Sequence, residues 1–363
     1  MDSRVQRFAE LLARYSIYAK PKETIGVEGP SEAEPLFEAL YEELLKAGAY
    51  PVVRITPSSF TDRFFRSAKP HHLDNLSPFE MSYAKVVDGT VRIMASANTR
   101  ALSSVDPSLQ TRVAKARKPV RKILLAKKWA LTLFPTQAYA MDAEMSLSDF
   151  EDFVYKANFL DRDDPVAEWN ALEKKHQKLI AKFRSADEVR IVGPGTDLKM
   201  SVKGRTFISS VATHNVPSGE IFTGPVEDSA EGHIAYDFPV CEGGREIDGI
   251  RLVFRKGLVV EATATKNQDY LLKMLDMDPG ARRLGELGIG TNYGIQRFIK
   301  NILFDEKIGG TVHLALGESY VETGGRNKSA LHWDMIKDLR KDGALYVDGK
   351  LLQKNGKFIG VDL

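Results

Sequence analysis

Along the first half of the chain, apolar residues recur at helical spacing between short apolar runs. RVQRFAELLARY, residues 4–15, has the period of an amphipathic helix. TIGVEG, 24–29, predicts a short strand that closes at glycine. Ser31-x-x-Glu34 has the pattern of a capping box, with Pro35 in the first turn after it. The helix that follows puts Leu36, Leu40 and Leu44 on one face and stops at Gly48. PVVRI, 51–55, is the next strand. Strand–helix–strand is the unit of a parallel sheet with a helical cover. RKILLA, 121–126, and WALTLF, 129–134, add apolar sheet or helix segments, and 146–183 read as mostly helical.

The period changes near residue 185. DEVRIVG, TDLKMSVKG, IDGIRLVFRKG and LVVEATATK alternate apolar and polar residues and are separated by glycine-containing turns. The expected fold class is therefore α/β in the broad, α+β sense. An N-terminal α/β domain, 1–185, carries the strand–helix–strand units, and a C-terminal β-rich domain with a mixed sheet, 186–363, follows. The chain shows no internal repeat and no low-complexity segment.

Composition narrows the function classes. At 43% hydrophobic and 28% charged, the chain reads as a soluble globular protein. No apolar run is long enough for a membrane span. Charges interrupt the opening stretch MDSRVQRFAELLARYSIY, which does not read as a signal peptide, so a cytoplasmic location is expected. The net charge of +2 does not point to nucleic acid. One run, RVAKARKPVRKILLAKK (112–128), holds eight Lys/Arg and no acid. It is expected to be one solvated helix face, or two, with Pro119 interrupting the run. The single cysteine, Cys241, excludes an intrachain disulfide and a thiolate zinc site, and its apolar neighbours suggest a buried structural thiol. GPGTDLK (193–199) lacks the third glycine of a dinucleotide fingerprint, and GGRNKS (324–329) lacks P-loop spacing.

The candidate chemistry lies in the C-terminal half. SALHWDMIKDL, 329–339, places His332 and Asp334 two residues apart. On a strand they share a face. An imidazole and a carboxylate there suit a metal, an acid–base pair, or neither. Glu220 leaves the turn NVPSG at the start of EIFT, and Glu286 lies between glycines in LGELGIG. His313 sits in the apolar TVHLALG, with Tyr320 just after it. A lone carboxylate among Leu, Gly and Ile is costly to bury unless something positive meets it. Taken singly, each residue has a bland reading as a turn, helix-end or core side chain. Together, two glutamates, two histidines and an aspartate are the ligand types that a pair of divalent ions needs. No sequence-local zinc motif such as HExxH is present.

Four blocks in order, NVPSGEIFTGP, LGELGIGTN, GGTVHLALGESY and SALHWDMIKDL, preceded by LLKAGAYPVV, resemble the thermophilic aminopeptidase T and aminopeptidase S family of metallopeptidases. The resemblance covers nearly the whole chain. It implies that Glu220, Glu286, His313, His332 and Asp334 bind two divalent ions, Zn, Co or Mn, with Tyr320 nearby. Only eleven residues separate Tyr320 from His332, a short connection that bears on substrate preference. The implied activity is hydrolysis of N-terminal residues from peptides with a free N-terminus by a metal-activated water. Glu286 would act as proton shuttle and Tyr320 as hydrogen-bond donor to the oxyanion. A homodimer is implied, with no nucleic-acid or membrane partner. The alternatives are another dinuclear metallohydrolase, such as a phosphoesterase, or a non-catalytic protein that binds metal or nucleic acid.

Overall fold

A computed structural model describes residues 2–242 and 244–362. Its contacts divide the chain into two compact units. The first holds the residues up to Glu168 together with Ala212–Pro217 and a short segment at Arg245. The second holds Trp169–Val211, Ser218–Glu242 and Glu246–Leu363. The expected boundary near 185 lies just past the end of the helix Pro165–Ile180, whereas the contacts divide inside that helix, between Glu168 and Trp169. Its later residue Leu179 belongs to the core of the second unit.

The first unit is built on a five-stranded parallel sheet in the order Tyr50–Thr56, Thr24–Pro30, Gly89–Met94, Lys128–Leu133, Asn215–Val216. Parallel neighbours need a crossover, and the helices Glu34–Lys46 and Pro107–Leu125 supply two of them. Leu36, Leu40 and Leu44 are buried, as their spacing predicts. The capping box expected at Ser31 and Glu34 does not form. Ser31 instead opens a 3₁₀ turn, Ser31–Ala33, and the α-helix begins at Glu34. WALTLF lies on the fourth strand, and RKILLA ends the helix before it. The basic run also departs from expectation, because one helix passes straight through Pro119. None of that helix is buried, so water is available to the carbonyl that Pro119 leaves without a donor. Two of its cations are neutralised locally, Arg112 by Asp74 and Arg117 by Glu80.

The mixed sheet expected in the second unit resolves into two large antiparallel ones, beside a two-stranded pairing of Val240–Glu242 with Arg245–Ile247. An eight-stranded sheet carries the predicted hairpins, including Glu188–Gly193 with Thr196–Ser201 and Arg251–Arg255 with Leu258–Thr263. GPGTDLK is the turn of the first hairpin, with Gly195 at φ +64°. A five-stranded sheet runs His332–Asp338, Thr311–Gly317, Leu284–Gly290, Glu220–Thr223, Ile208–Ser210. Its two central strands are buried along their whole length. One face, with Leu287, Ile289, Val312, Leu314 and Leu316, joins the core of the unit. Among the described residues, no helix is long and apolar enough to cross a membrane.

Leu314 is fully buried on that core face, one residue from His313. Leu314→Ala is expected to lower the stability of this unit by about 2–5 kcal/mol. Urea unfolding followed by tryptophan fluorescence measures it.

Candidate metal centre

The other face of the five-stranded sheet gathers the candidate side chains. Alternation along Leu284–Gly290 sends Glu286, Gly288 and Gly290 to one side and Leu287 and Ile289 to the other. Along Thr311–Gly317 it sends His313, Ala315 and Gly317 together. The register then places each functional side chain beside a small neighbour. Glu220 pairs with Gly290, Glu286 and Asp334 both pair with Ala315, His313 pairs with Gly288, and His332 pairs with Gly317. The fit is tight. A Cβ on Gly288 would stand 1.9 Å from His313 Nε2. Glycine is required there to give the imidazole its place, whatever backbone angles it adopts.

The side chains converge. His313 Nε2 stands 3.2 Å from Glu220 Oε2 and 3.6 Å from Glu286 Oε1. His332 Nε2 stands 3.2 Å from Glu286 Oε2 and 3.6 Å from Asp334 Oδ2. These are ion-pair distances, yet several of the atoms lack hydrogen-bond geometry. Glu220 Oε2, both ring nitrogens of His313 and Asp334 Oδ1 are buried without a hydrogen bond. Orphaned buried donors and acceptors are costly and call for a partner. Two triads have ligand atoms within 4.8 Å of one another: Glu220 with Glu286 and His313, and Glu286 with His332 and Asp334. Glu286 is common to both. His332 Nδ1 lies 2.9 Å from the carbonyl of Glu318. A carbonyl only accepts, so Nδ1 carries a proton and Nε2 is the nitrogen turned toward the carboxylates. Nitrogen and oxygen donors of this kind, orphaned and convergent, fit divalent metal ions.

The metal-free electrostatics agree. For His332, burial works against the charged ring, but Asp334 and Glu286 outweigh it and raise its pKa to about 10. Burial likewise opposes the carboxylate of Glu286, and His313 and His332 overcome it and hold the group below the usual range. Protons occupy the place of a metal's positive charge.

Two participants carried no motif that singled them out in the sequence. Lys307, buried, donates to Glu220 Oε1 at 2.5 Å and to Glu306 Oε1. Glu306 forms a third close set with His313 and Asp334. Burial, followed by the carboxylates Glu220 and Asp334, lifts the Glu306 carboxyl to about 7 against the pull of Lys307. The one available signal was the pair itself, an acid and a base flanked by FD and IGG just before the His313 strand. Tyr320 joins the site through its ring, 5.0 Å from that of His332 and 5.5 Å from that of Phe222. Desolvation, followed by the charges of Glu286, Asp334 and Glu306, raises its phenol well above the ordinary value, so it stays a donor. Cys241 is not the buried thiol expected. It is partly exposed and lines a cleft with Val240, Phe298, Trp333, His332 and Asp334.

Comparison with known proteins gives a consistent picture. The family described as thermophilic metalloprotease (M29) matches residues 1–358. Aminopeptidase 2 of Geobacillus stearothermophilus is 28% identical, over 96% of this chain and 95% of that protein. Aminopeptidase T of Thermus thermophilus is 25% identical, over 98% of each. The solved structure of wild-type AmpT from Thermus thermophilus superposes with a TM-score of 0.86 at 25% identity, covering 98% of this chain and 99% of that one. A 2,5-dihydroxypyridine dioxygenase from Pseudomonas putida shares the fold alone, with a TM-score of 0.63 at 14% identity over 99% of this chain and 98% of that one.

Two outcomes follow from this geometry. Gly288→Ala is expected to displace His313 and lower bound metal while the circular dichroism spectrum stays folded; elemental analysis of the purified protein reads the loss. The second concerns pH. His332 has a raised pKa, so in metal-stripped protein its contribution to stability is complete below its ordinary value of 6.5 and is lost as pH climbs through about 10. Thermal melts of stripped protein should fall across that window, with a shallower fall in His332→Gln.

Proposed function

We propose, from the premise that the chain belongs to the thermophilic metalloprotease (M29) family, that it is an aminopeptidase using two divalent ions held on this sheet face. That it is a metallopeptidase follows from the family and from relatives named as aminopeptidases. The observation that carries the two-ion reading is Glu286, the carboxylate common to two adjacent ligand triads. A pair of divalent ions held side by side would be served by such a shared carboxylate. Glu220 and His313 then complete one set, and His332 and Asp334 the other.

Divalent ions supply Lewis acidity, which makes water a nucleophile near neutral pH and polarises a peptide carbonyl. The remaining work falls to the chain. The cleft bordering His332 and Asp334 receives the N-terminal residue of the peptide, and the carboxylate cluster draws its α-ammonium. Tyr320, protonated, donates to the developing oxyanion. A proton must also pass from water to the leaving amine. Glu286 is the carboxylate first expected to carry it. Its two oxygens face His313 and His332, which commits it to both ligand triads. Glu306 Oε1 is held by Lys307, which leaves its second oxygen to accept and return the proton in this reading. The enzyme in this reading is a cytoplasmic homodimer that takes Zn, Co or Mn and acts on peptides with a free N-terminus.

The test is hydrolysis of aminoacyl-p-nitroanilides by metal-stripped protein, with and without Zn, Co or Mn. Activity should appear only with metal and fall by at least ~10²-fold in His332→Ala. Glu286→Gln should lose metal. Glu306→Gln should keep it and lose ~10²–10⁴-fold in kcat. No hydrolysis by any metal form of folded protein defeats the aminopeptidase reading.

A further inference from the structure

The cluster is electrically lopsided. Its inner triad is closed, with the His313 side chain 1% exposed, Glu220 5% and Glu286 6%. Its outer triad borders the cleft, with His332 27% and Asp334 11% exposed. The ammonium of Lys307 pairs directly with one ligand carboxylate, Glu220 of the inner triad, and with Glu306, which itself stands close to both His313 and Asp334. Among the described residues, Glu286 and Asp334 form no ion pair with a lysine or arginine.

Lys307 is also held in place. Its side chain is 1% exposed. Its carbonyl accepts the Asn292 N–H at 3.0 Å, and its own N–H donates to the Phe304 carbonyl at 3.0 Å. Asp305, one residue earlier, ties down the turn by accepting from the N–H groups of Ile299 and Asn301. A hydrogen-bonded turn thus carries the buried ammonium to the carboxylates. A buried cation of this kind acts on an incoming cation in two ways. It occupies one oxygen of a ligand carboxylate, and it repels the ion directly, where salt screens little.

We propose that Lys307 makes the two ion positions unequal. The cleft-facing position at Glu286, His332 and Asp334 fills first and tightly. The inner position at Glu220, Glu286 and His313 fills second, more weakly by roughly tenfold or more. Over a range of metal concentration the protein then exists with the outer position alone filled. This rests on the two-ion reading above.

The experiment titrates the metal-stripped full chain with Co²⁺, by calorimetry and by visible absorption. Expected are two separated phases in the wild type. His332→Ala should abolish the tight phase. His313→Ala should keep it and abolish the weak one. Lys307→Met should bring the two phases within about threefold, while Lys307→Arg keeps them apart. Should the methionine variant fail to fold, Lys307→Gln takes its place, and the wild-type and histidine titrations still decide the order. Two equivalent phases overturn the proposal, as does loss of the tight phase in His313→Ala. Uptake of one ion per chain overturns the two-ion reading itself, and the order with it, so the two failures are distinguishable.

Discussion

Four carboxylates, the buried Glu220 and Glu286 and the partly buried Glu306 and Asp334, stand close together, and they cannot do so without positive charge among them. Lys307 and the two histidines supply part of it in the metal-free protein. The protonated imidazoles stand in for something else, because neither ring nitrogen of His313 makes a hydrogen bond although Nε2 lies close to two carboxylate oxygens. Divalent ions resolve both deficits at once. They bring charge, and they accept the lone pairs that the protons hold back.

The architecture serves that constraint. A lysine on a mobile surface loop would swing into water and leave Glu220 uncompensated. Here the backbone around residues 299–307 bonds to itself and to Asn292, so the cation stays where the carboxylates need it. The antiparallel sheet does the same for the ligands. Its strands alternate between a hydrophobic core face and a ligand face, and Gly288, Gly290, Ala315 and Gly317 keep the ligand face open. The leucine and valine layer beneath gives the polar face a rigid floor, which is how side chains separated by more than a hundred residues reach one point.

Particular residues show how far the chain could be read in advance. LGELGIG and VHLALG carry a period-two pattern in which the polar residue shares its parity with glycine and alanine, and that parity fixes the face Glu286 and His313 occupy. His332 and Asp334 obey the same rule around the buried Trp333. Cys241 was misread because it follows Val240 on a short strand, where Val240 turns into the core and the next side chain faces the cleft. Pro119 was misread because a proline's effect on a helix depends on whether water can reach the orphaned carbonyl.

Local pattern therefore determined most of the elements and the parity of the strands that carry the candidate side chains, and the resemblance of four ordered blocks to a known family implied the five candidate ligands and the tyrosine. Only the tertiary structure decided the rest. Strand order and register, which come from long-range pairing, made Glu286 common to two triads. The turn after Asn301 brought Glu306 and Lys307 against the candidate side chains of the polar face, although nothing in DEK distinguishes a buried acid–base pair from a solvated one. Burial and charge balance belong to the assembled fold. A side chain's own neighbours in sequence do not report which distant charges will face it.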